Sequence, residues 1–254
     1  MDGFIKFFGT GGARFVVSKQ LRATGGLWLH YKDTNLYIDP GPGALVRINS
    51  SDEGFNPAYL DGIILTHKHV DHTNDVNVLI EAMTEGGFKK RGILFCPEDA
   101  LKEDPVVLKF ARNYLEGIQL LKEKRQYLLK HIPFTVPVRH VHPVETYGII
   151  FDLNQRIGLI TDTRFFDTLA DYYRVDCLVV NVLRSKPIEA HHPIDHLSVQ
   201  DFVTIVNEVK PAIAIMTHFG MNIINEGPEK LAERLQKETG ISIIAAYDGM
   251  KWEF

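Results

Sequence analysis

Apolar residues in the first third of the chain come in short runs of strand length, at residues 4–8, 27–31, 36–38 and 62–65. Glycine-rich segments separate them: Gly9-Thr10-Gly11-Gly12, Gly25-Gly26 and Pro40-Gly41-Pro42-Gly43. The period then changes. Over residues 74–83, Val76, Val78, Leu79 and Met83 can share one helical face, and residues 92–96 return to a strand pattern. Leu108, Ala111, Leu115 and Ile118 recur at helical spacing, which predicts a helical hairpin over residues 105–130. Further on, residues 135–140, 147–152, 156–161 and 177–181 read as extended. A helix over 198–209, with Ser198 as its N-cap, leads to a strand at 212–216, a helix at 228–239 and a strand at 242–245.

Neither an internal repeat nor a low-complexity linker interrupts this order. Residues 1–254 are therefore expected to form one domain of the α/β (α+β) class, with two strand-rich sheets and helices outside them. The stretch 100–132 is richer in charge and is expected to be a helical insertion. Its Lys109, Arg112, Lys122, Lys124 and Arg125 are interleaved with Glu103, Asp104, Glu116 and Glu123, which suits a solvated face or a lid better than an RNA-binding arm. A formal charge of −4 argues against strong nonspecific attraction to nucleic acid or anionic membranes. The first residues lack the pattern of a signal peptide, and no apolar stretch has the length of a spanning helix, so a cytoplasmic, soluble protein is expected. Cys96 and Cys177 both sit in apolar runs and read as buried thiols, not as a disulfide.

The chemistry is concentrated in Thr66-His67-Lys68-His69-Val70-Asp71-His72. His67 and His69 are two apart and project to the same side of extended backbone. Asp71 and His72 can join them only if the chain bends, as it would between a strand ending near Thr66 and a helix opening near His72. Nitrogen and oxygen donors crowded this tightly suit two borderline metal ions better than one. Further donors recur where apolar runs end: Asp39 after Ile38, His142 after Val141, Asp162 after Thr161 and His218 after Thr217. Strand ends are where a site built from several strands gathers its residues.

Taken in order, Asp39, the H-x-H-x-D-H of His67 to His72, His142, Asp162 and His218 resemble the motifs of the metallo-β-lactamase superfamily of metal-dependent hydrolases, over nearly the whole chain. The resemblance implies an αββα sandwich with a two-metal site on one edge. By matching position, it implies that His67, His69 and His142 hold one ion and that Asp71, His72 and His218 hold the other. Asp162 would bridge them, and Asp39 would orient a ligand from behind. Within the superfamily the chain looks like the phosphodiesterase branch typified by the tRNA-processing endonuclease RNase Z and small cyclic phosphodiesterases. His142-Pro143-Val144-Glu145-Thr146-Tyr147-Gly148 is similar to that branch's third motif, and Phe8-Gly9-Thr10-Gly11-Gly12 to its glycine loop. His196 lies 22 positions before His218, where that branch places its proton-donating histidine. The branch's tRNA-gripping arm and tRNA-positioning loop have no counterpart, which counts against transfer RNA as substrate.

These readings imply a hydrolase with two divalent ions, zinc first and Mn2+ or Fe2+ as alternatives, that makes a bridging hydroxide available at neutral pH. An alkoxide leaving a phosphodiester also needs a proton, and His196 is the candidate general acid; Asp71 can also touch the nucleophile's proton. Arg184, Lys186, His191 and His192 form a candidate substrate-facing anion pocket on the loop before His196. The expected substrate is a small phosphodiester or nucleotide-like molecule, with no membrane partner; a homo-oligomer stays open. The rival readings are a lactone, ester or thioester hydrolase on the same site, and an iron-dependent oxidoreductase.

Overall fold

In the computed structural model the described residues are 2–187 and 195–254. The first half of the chain supplies β1 (Gly3–Gly9), α1 (Ala13–Lys19), β2 (Thr24–Tyr31), β3 (Thr34–Ile38), α2 (Ala44–Asn49) and β4 (Gly62–Ile64). These are followed by α3 (Val70–Thr73), α4 (Val76–Met83), β5 (Ile93–Cys96), α5 (Lys109–Arg112) and β6 (Gly117–Leu120). The second half contains β7 (Arg125–Leu129), β8 (Ile132–Val136), β9 (Ile149–Asp152), β10 (Arg156–Ile160), β11 (Cys177–Asn181) and α6 (Val199–Val209). It closes with β12 (Ile213–Thr217), α7 (Met221–Glu226), α8 (Pro228–Thr239), β13 (Ser242–Ala245) and β14 (Lys251–Glu253).

Two seven-stranded sheets result, in the orders β14-β1-β2-β3-β4-β5-β6 and β13-β12-β11-β10-β9-β8-β7. Each is antiparallel at one end and parallel at the other, and the change falls at β3 in the first and β10 in the second. Alternation along the strands explains how the sheets stack. Leu36 and Ile38 of β3 face Phe134, Ile149 and Val179 in a core between the sheets, whereas Tyr37 turns outward onto Ala44 and Ile80. On β11, Cys177 and Val179 point inward, and Leu178 and Val180 pack with Phe202, Ile205 and Leu235 of the outer helices. The layers therefore run helix, sheet, sheet, helix: the expected αββα sandwich, with both cysteines buried and unpaired. Among the described residues no helix is long and apolar enough to cross a membrane.

The helical insertion expected at 100–132 is not there. Helix is confined to the four residues of α5, and the segment then gives an edge strand to each sheet, β6 beside β5 and β7 beside β8. Ala111 and Leu115 do bury as the helical spacing required, but Gly117 ends that face and opens β6. In β7 the governing pattern has period two, with Tyr127 and Leu129 buried and Leu128 exposed. Pairing with waiting sheet edges outweighs a helical preference of two turns. The helices α1, α2 and α7, six or seven residues each, are too short for periodicity to reveal.

Candidate metal centre

The parallel strands of both sheets end at one edge, and the sequence places its polar residues there. Asp39 follows β3 and His218 follows β12, both in the left-handed region, at φ of 53° and 60°. Such backbone is uncommon for residues other than glycine and collects at functional sites, where the surrounding structure holds it in place. After β4 the chain runs through His67 to His69, which is the N-cap of α3, and that short helix turns Asp71 and His72 back toward the strands. Asp162 stands two residues beyond β10 and His196 two before Ser198, which caps α6 through a reciprocal box with Asp201.

Two nests of donors form where these segments meet. His67, His69, His142 and Asp162 bring one ligand atom each to within 4.8 Å of one another, and so do Asp71, His72 and His218. Asp162, His196 and His218 make an overlapping group. Tautomers are fixed from behind. His142 Nδ1 donates to the Asp195 carbonyl at 2.9 Å, so Nε2 is the nitrogen that faces His69 Nδ1 at 3.0 Å. His72 Nδ1 donates to Asp39 Oδ2 at 2.9 Å, and its Nε2 faces His218 Nε2 at 3.0 Å. Asp39 is itself fixed by the Thr66 amide and hydroxyl, at 2.7 and 2.6 Å. Asp39 therefore fixes the orientation of the His72 ring.

Asp162 meets the histidines of the cluster with both of its oxygens. Oδ1 accepts from Asn181 Nδ2 at 2.9 Å. Oδ2 lies between the nests, 3.6 Å from His67 Nε2 and 3.4 Å from His72 Nε2, with His196 Nδ1 at 3.6 Å, and Oδ1 also lies 3.5 Å from His218 Nδ1. Among the described residues the buried atoms His67 Nε2 and Asp162 Oδ2 have no hydrogen-bond partner. Orphaned lone pairs converging in a dry site are costly unless something positive lies between them. Nitrogens sharing one tetrahedral zinc stand about 3.3 Å apart, so the nests fit divalent ions after small outward shifts.

The electrostatics point the same way. Burial pushes His67 well below the ordinary imidazole range, and the His72 charge adds to this. Burial also lowers His142, to about 4, so both imidazoles are neutral and ligand-competent at neutral pH. For His72, burial opposes the charge, but Asp71, Asp162 and Asp39 together pull it upward. Burial would raise Asp71 and Asp162, yet the surrounding histidines hold both carboxyls below their usual range. The nests thus hold an excess of negative charge that calls for cations.

The structure brings Asp39, His67, His69, Asp71, His72, His142, Asp162, His196 and His218 into one cluster. Arg184 and Lys186 line an adjoining cleft. His191 and His192 lie outside the described residues. Sequence reasoning missed Asn181 and Thr66, although Asn181 ends β11 and the strand-end signal that found Asp162 could have found it. It also missed His140, which is buried, accepts from or donates to the Tyr173 hydroxyl at 2.8 Å, and is lowered to about 3 by burial.

Residues 34–219 match the family model described as a beta-lactamase superfamily domain. An uncharacterised protein of Methanocaldococcus jannaschii is 32% identical over 259 residues, covering 98% of this chain and 94% of that protein. The crystal structure of the metallo-beta-lactamase fold protein YhfI from Bacillus subtilis superposes with a TM-score of 0.79 at 18% identity, covering all of both chains. A diphosphatase of the PhnP family gives 0.73 at 23% identity, with 100% of this chain and 98% of the other covered. The short form of human tRNase Z gives 0.66 at 16%, with 98% of each covered. The chain belongs to the beta-lactamase superfamily, with the metallo-β-lactamase fold of a metal-dependent hydrolase.

Proposed function

We propose that this hydrolase is a dinuclear phosphodiesterase. The carrying observation is that two donor nests meet at Asp162, whose unpartnered Oδ2 lies between His67 and His72, and that a further imidazole, His196, leans on that same oxygen. In this reading His67, His69 and His142 hold one ion, Asp71, His72 and His218 the other, and Asp162 both. The all-nitrogen-and-carboxylate donor set suits zinc, with Mn2+ or Fe2+ as alternatives. When bound, two divalent ions supply water of lowered pKa and polarise the phosphoryl oxygen.

The chain's own residues do the rest. Asp39 and the Asp195 carbonyl fix the ring orientation of His72 and His142, and Asn181 fixes the carboxylate plane of Asp162. His196 turns Nδ1 toward Asp162, which leaves Nε2 to deliver a proton to the departing oxygen as the P–O bond breaks and water's oxygen bonds to phosphorus. The likeness in fold to a diphosphatase and to tRNase Z supports phosphoryl chemistry. The substrates expected are small phosphodiesters or nucleotide-like esters. Two unpaired thiols suit the reducing cytoplasm.

Elemental analysis of the purified protein, beside a panel of bis(p-nitrophenyl) phosphate, a lactone and a thioester, tests the proposal. Two equivalents of divalent metal with turnover of the phosphodiester is the expected result. Turnover of the lactone or thioester alone overturns the substrate assignment, and a single tightly bound iron with no second site overturns the dinuclear one.

A further inference from the structure

A second compartment shares a wall with the metal centre. Ala13, Phe15 and Val16 from α1, residues 183–186 after β11, and residues 220–222 at the start of α7 enclose a cleft of about 390 Å3. Its wall is tied to His218 from both directions. Gly12, the residue before α1, lies so close to the His218 ring that a Cβ there would fall 2.2 Å from Nδ1. Gly220, two residues beyond His218, donates its amide to the Leu183 carbonyl at 3.2 Å. The cleft is thus built on segments that adjoin His218 in the chain and pack against its ring.

Two features of the lining point to a ligand. The first is charge. Arg184 and Lys186 both face the cleft, and among the described residues neither forms an ion pair; Arg184 Nε only donates to the Lys186 carbonyl at 3.3 Å. Asp201, whose charge reaches Arg184, is engaged on the Ser198 amide and hydroxyl, and among the described residues no carboxylate lines the cleft. The second is an aromatic ring left in water: Phe15 is 69% exposed, beside Val16 and Met221. Phe15 therefore presents a bare stacking face at the mouth of a cationic cleft. Asn222 adds an amide that can read a ring edge.

We propose that this cleft is a subsite for the distal part of the substrate, a planar ring laid on Phe15 whose second phosphate or carboxylate is held by Arg184 and Lys186. The inference rests on the phosphodiesterase reading and names its substrate class: phosphodiesters carrying a second anionic group on a nucleoside-like ring. The volume suits one such unit and not a polymer, since small-molecule sites run from about 300 to 1,000 Å3. Arginine supplies a planar fork for two phosphate oxygens, and lysine a mobile point charge. A ring between a stacking face and two cations is a recurrent solution for single nucleotides.

Binding and turnover are measured separately. Calorimetry compares thymidine 3′,5′-bisphosphate with thymidine 5′-phosphate, phosphomonoesters that a phosphodiesterase does not consume, on metal-loaded wild type, Phe15→Ala and the double variant R184A/K186A. The wild type is expected to favour the bisphosphate at least tenfold. The double variant should lose that preference, and Phe15→Ala should weaken both ligands. For turnover, p-nitrophenyl esters of thymidine 5′-phosphate are compared with and without a 3′-phosphate. The double variant should lower the ratio of their kcat/KM values at least tenfold, through KM. An unchanged ratio, or equal binding of both nucleotides by the wild type, overturns the subsite. Tighter binding of single-stranded oligonucleotides than of the bisphosphate overturns it in favour of a polymer groove. Wild-type protein that binds the bisphosphate through Arg184 and Lys186 yet hydrolyses no phosphodiester refutes the chemistry of the metal centre and leaves the subsite standing.

Discussion

Replacing Gly12 by alanine isolates one ligand of the proposed second ion without touching any ligand. Gly12 has φ −137° and ψ 167°, extended backbone that alanine adopts freely, so the substitution carries no conformational penalty. The added methyl would meet His218 at 2.2 Å from Nδ1, 2.3 Å from Cε1 and 2.5 Å from Cγ. Ordinary carbon contacts begin near 3.5 Å, so ring and loop must separate by roughly 1.2 Å. Metal–ligand distances tolerate only about 0.2 Å. The loop cannot easily yield instead, because Thr10 donates its amide and hydroxyl to Asp248 at 2.9 and 2.7 Å, and the Ala23 amide donates to the same carboxylate at 2.7 Å. Thr10 and Gly12 are also bonded to the Phe219 backbone. The ring moves, and His218 Nε2 leaves its place beside His72 and Asp71. We expect the second equivalent of metal to bind at least 10–100-fold more weakly, the range seen when support of a ligand is lost. The first equivalent should be little affected, since His67, His69 and His142 lie in the other nest. Chelator-competition titration resolves the two equivalents, with thermal unfolding as a control for folding. Two equivalents bound with wild-type affinity would show that His218 is not a ligand or that the glycine loop does not fix it.

Three further outcomes are expected. Asn181→Ala removes the 2.9 Å amide bond to Asp162 Oδ1, so affinity for both ions should fall about 10-fold or more; a loss confined to one ion would deny Asp162 its proposed shared position. His196→Ala should slow an alkyl or nucleotide phosphodiester about 100-fold but the p-nitrophenyl ester far less, because p-nitrophenolate leaves without a proton; equal losses would mean that His196 only positions the substrate. Burial pushes the Cys96 thiol up to about 12 and raises Cys177 as well, so at pH 8 both are neutral and inaccessible. A thiol reagent should label neither in the native protein and both in denaturant, and rapid native labelling would contradict the packed core.

The sequence carried the site further than it carried the elements around it. His67 to His72 are contiguous, and Asp162 and His218 each close an apolar run, so their convergence follows once parallel strands end at one edge. Asn181 and Thr66 carry the same positional signal but are not metal-ligand types, and they act only through Asp162 and Asp39. Which Asp162 oxygen faces which histidine depends on the plane of one carboxylate, which no spacing encodes. Residues 105–130 misled because Leu108, Ala111, Leu115 and Ile118 match a helix while Tyr127 and Leu129 match a strand. Only the open edges at β5 and β8 decide between those patterns, and these edges are properties of the assembled sheets.

The donors are divided by origin: Asp39, His67, His69, Asp71 and His72 leave the first sheet's strands and α3, whereas His142, Asp162, His196 and His218 leave the second sheet's. Ions held in this cluster would therefore be rivets through two plates, added to the apolar core between them and to polar ties such as Tyr31 Oη to Asn154 Oδ1 and Thr66 to Thr161. Mass action gives such rivets a strength set by the surroundings. Free metal at 100 times its dissociation constant adds about 2.7 kcal/mol to folding, and at 1,000 times about 4.1 kcal/mol. A chelator withdraws that increment without breaking a covalent bond. The temperature at which the sandwich parts is thus a joint property of the polypeptide and the medium, and it should climb with the logarithm of free metal.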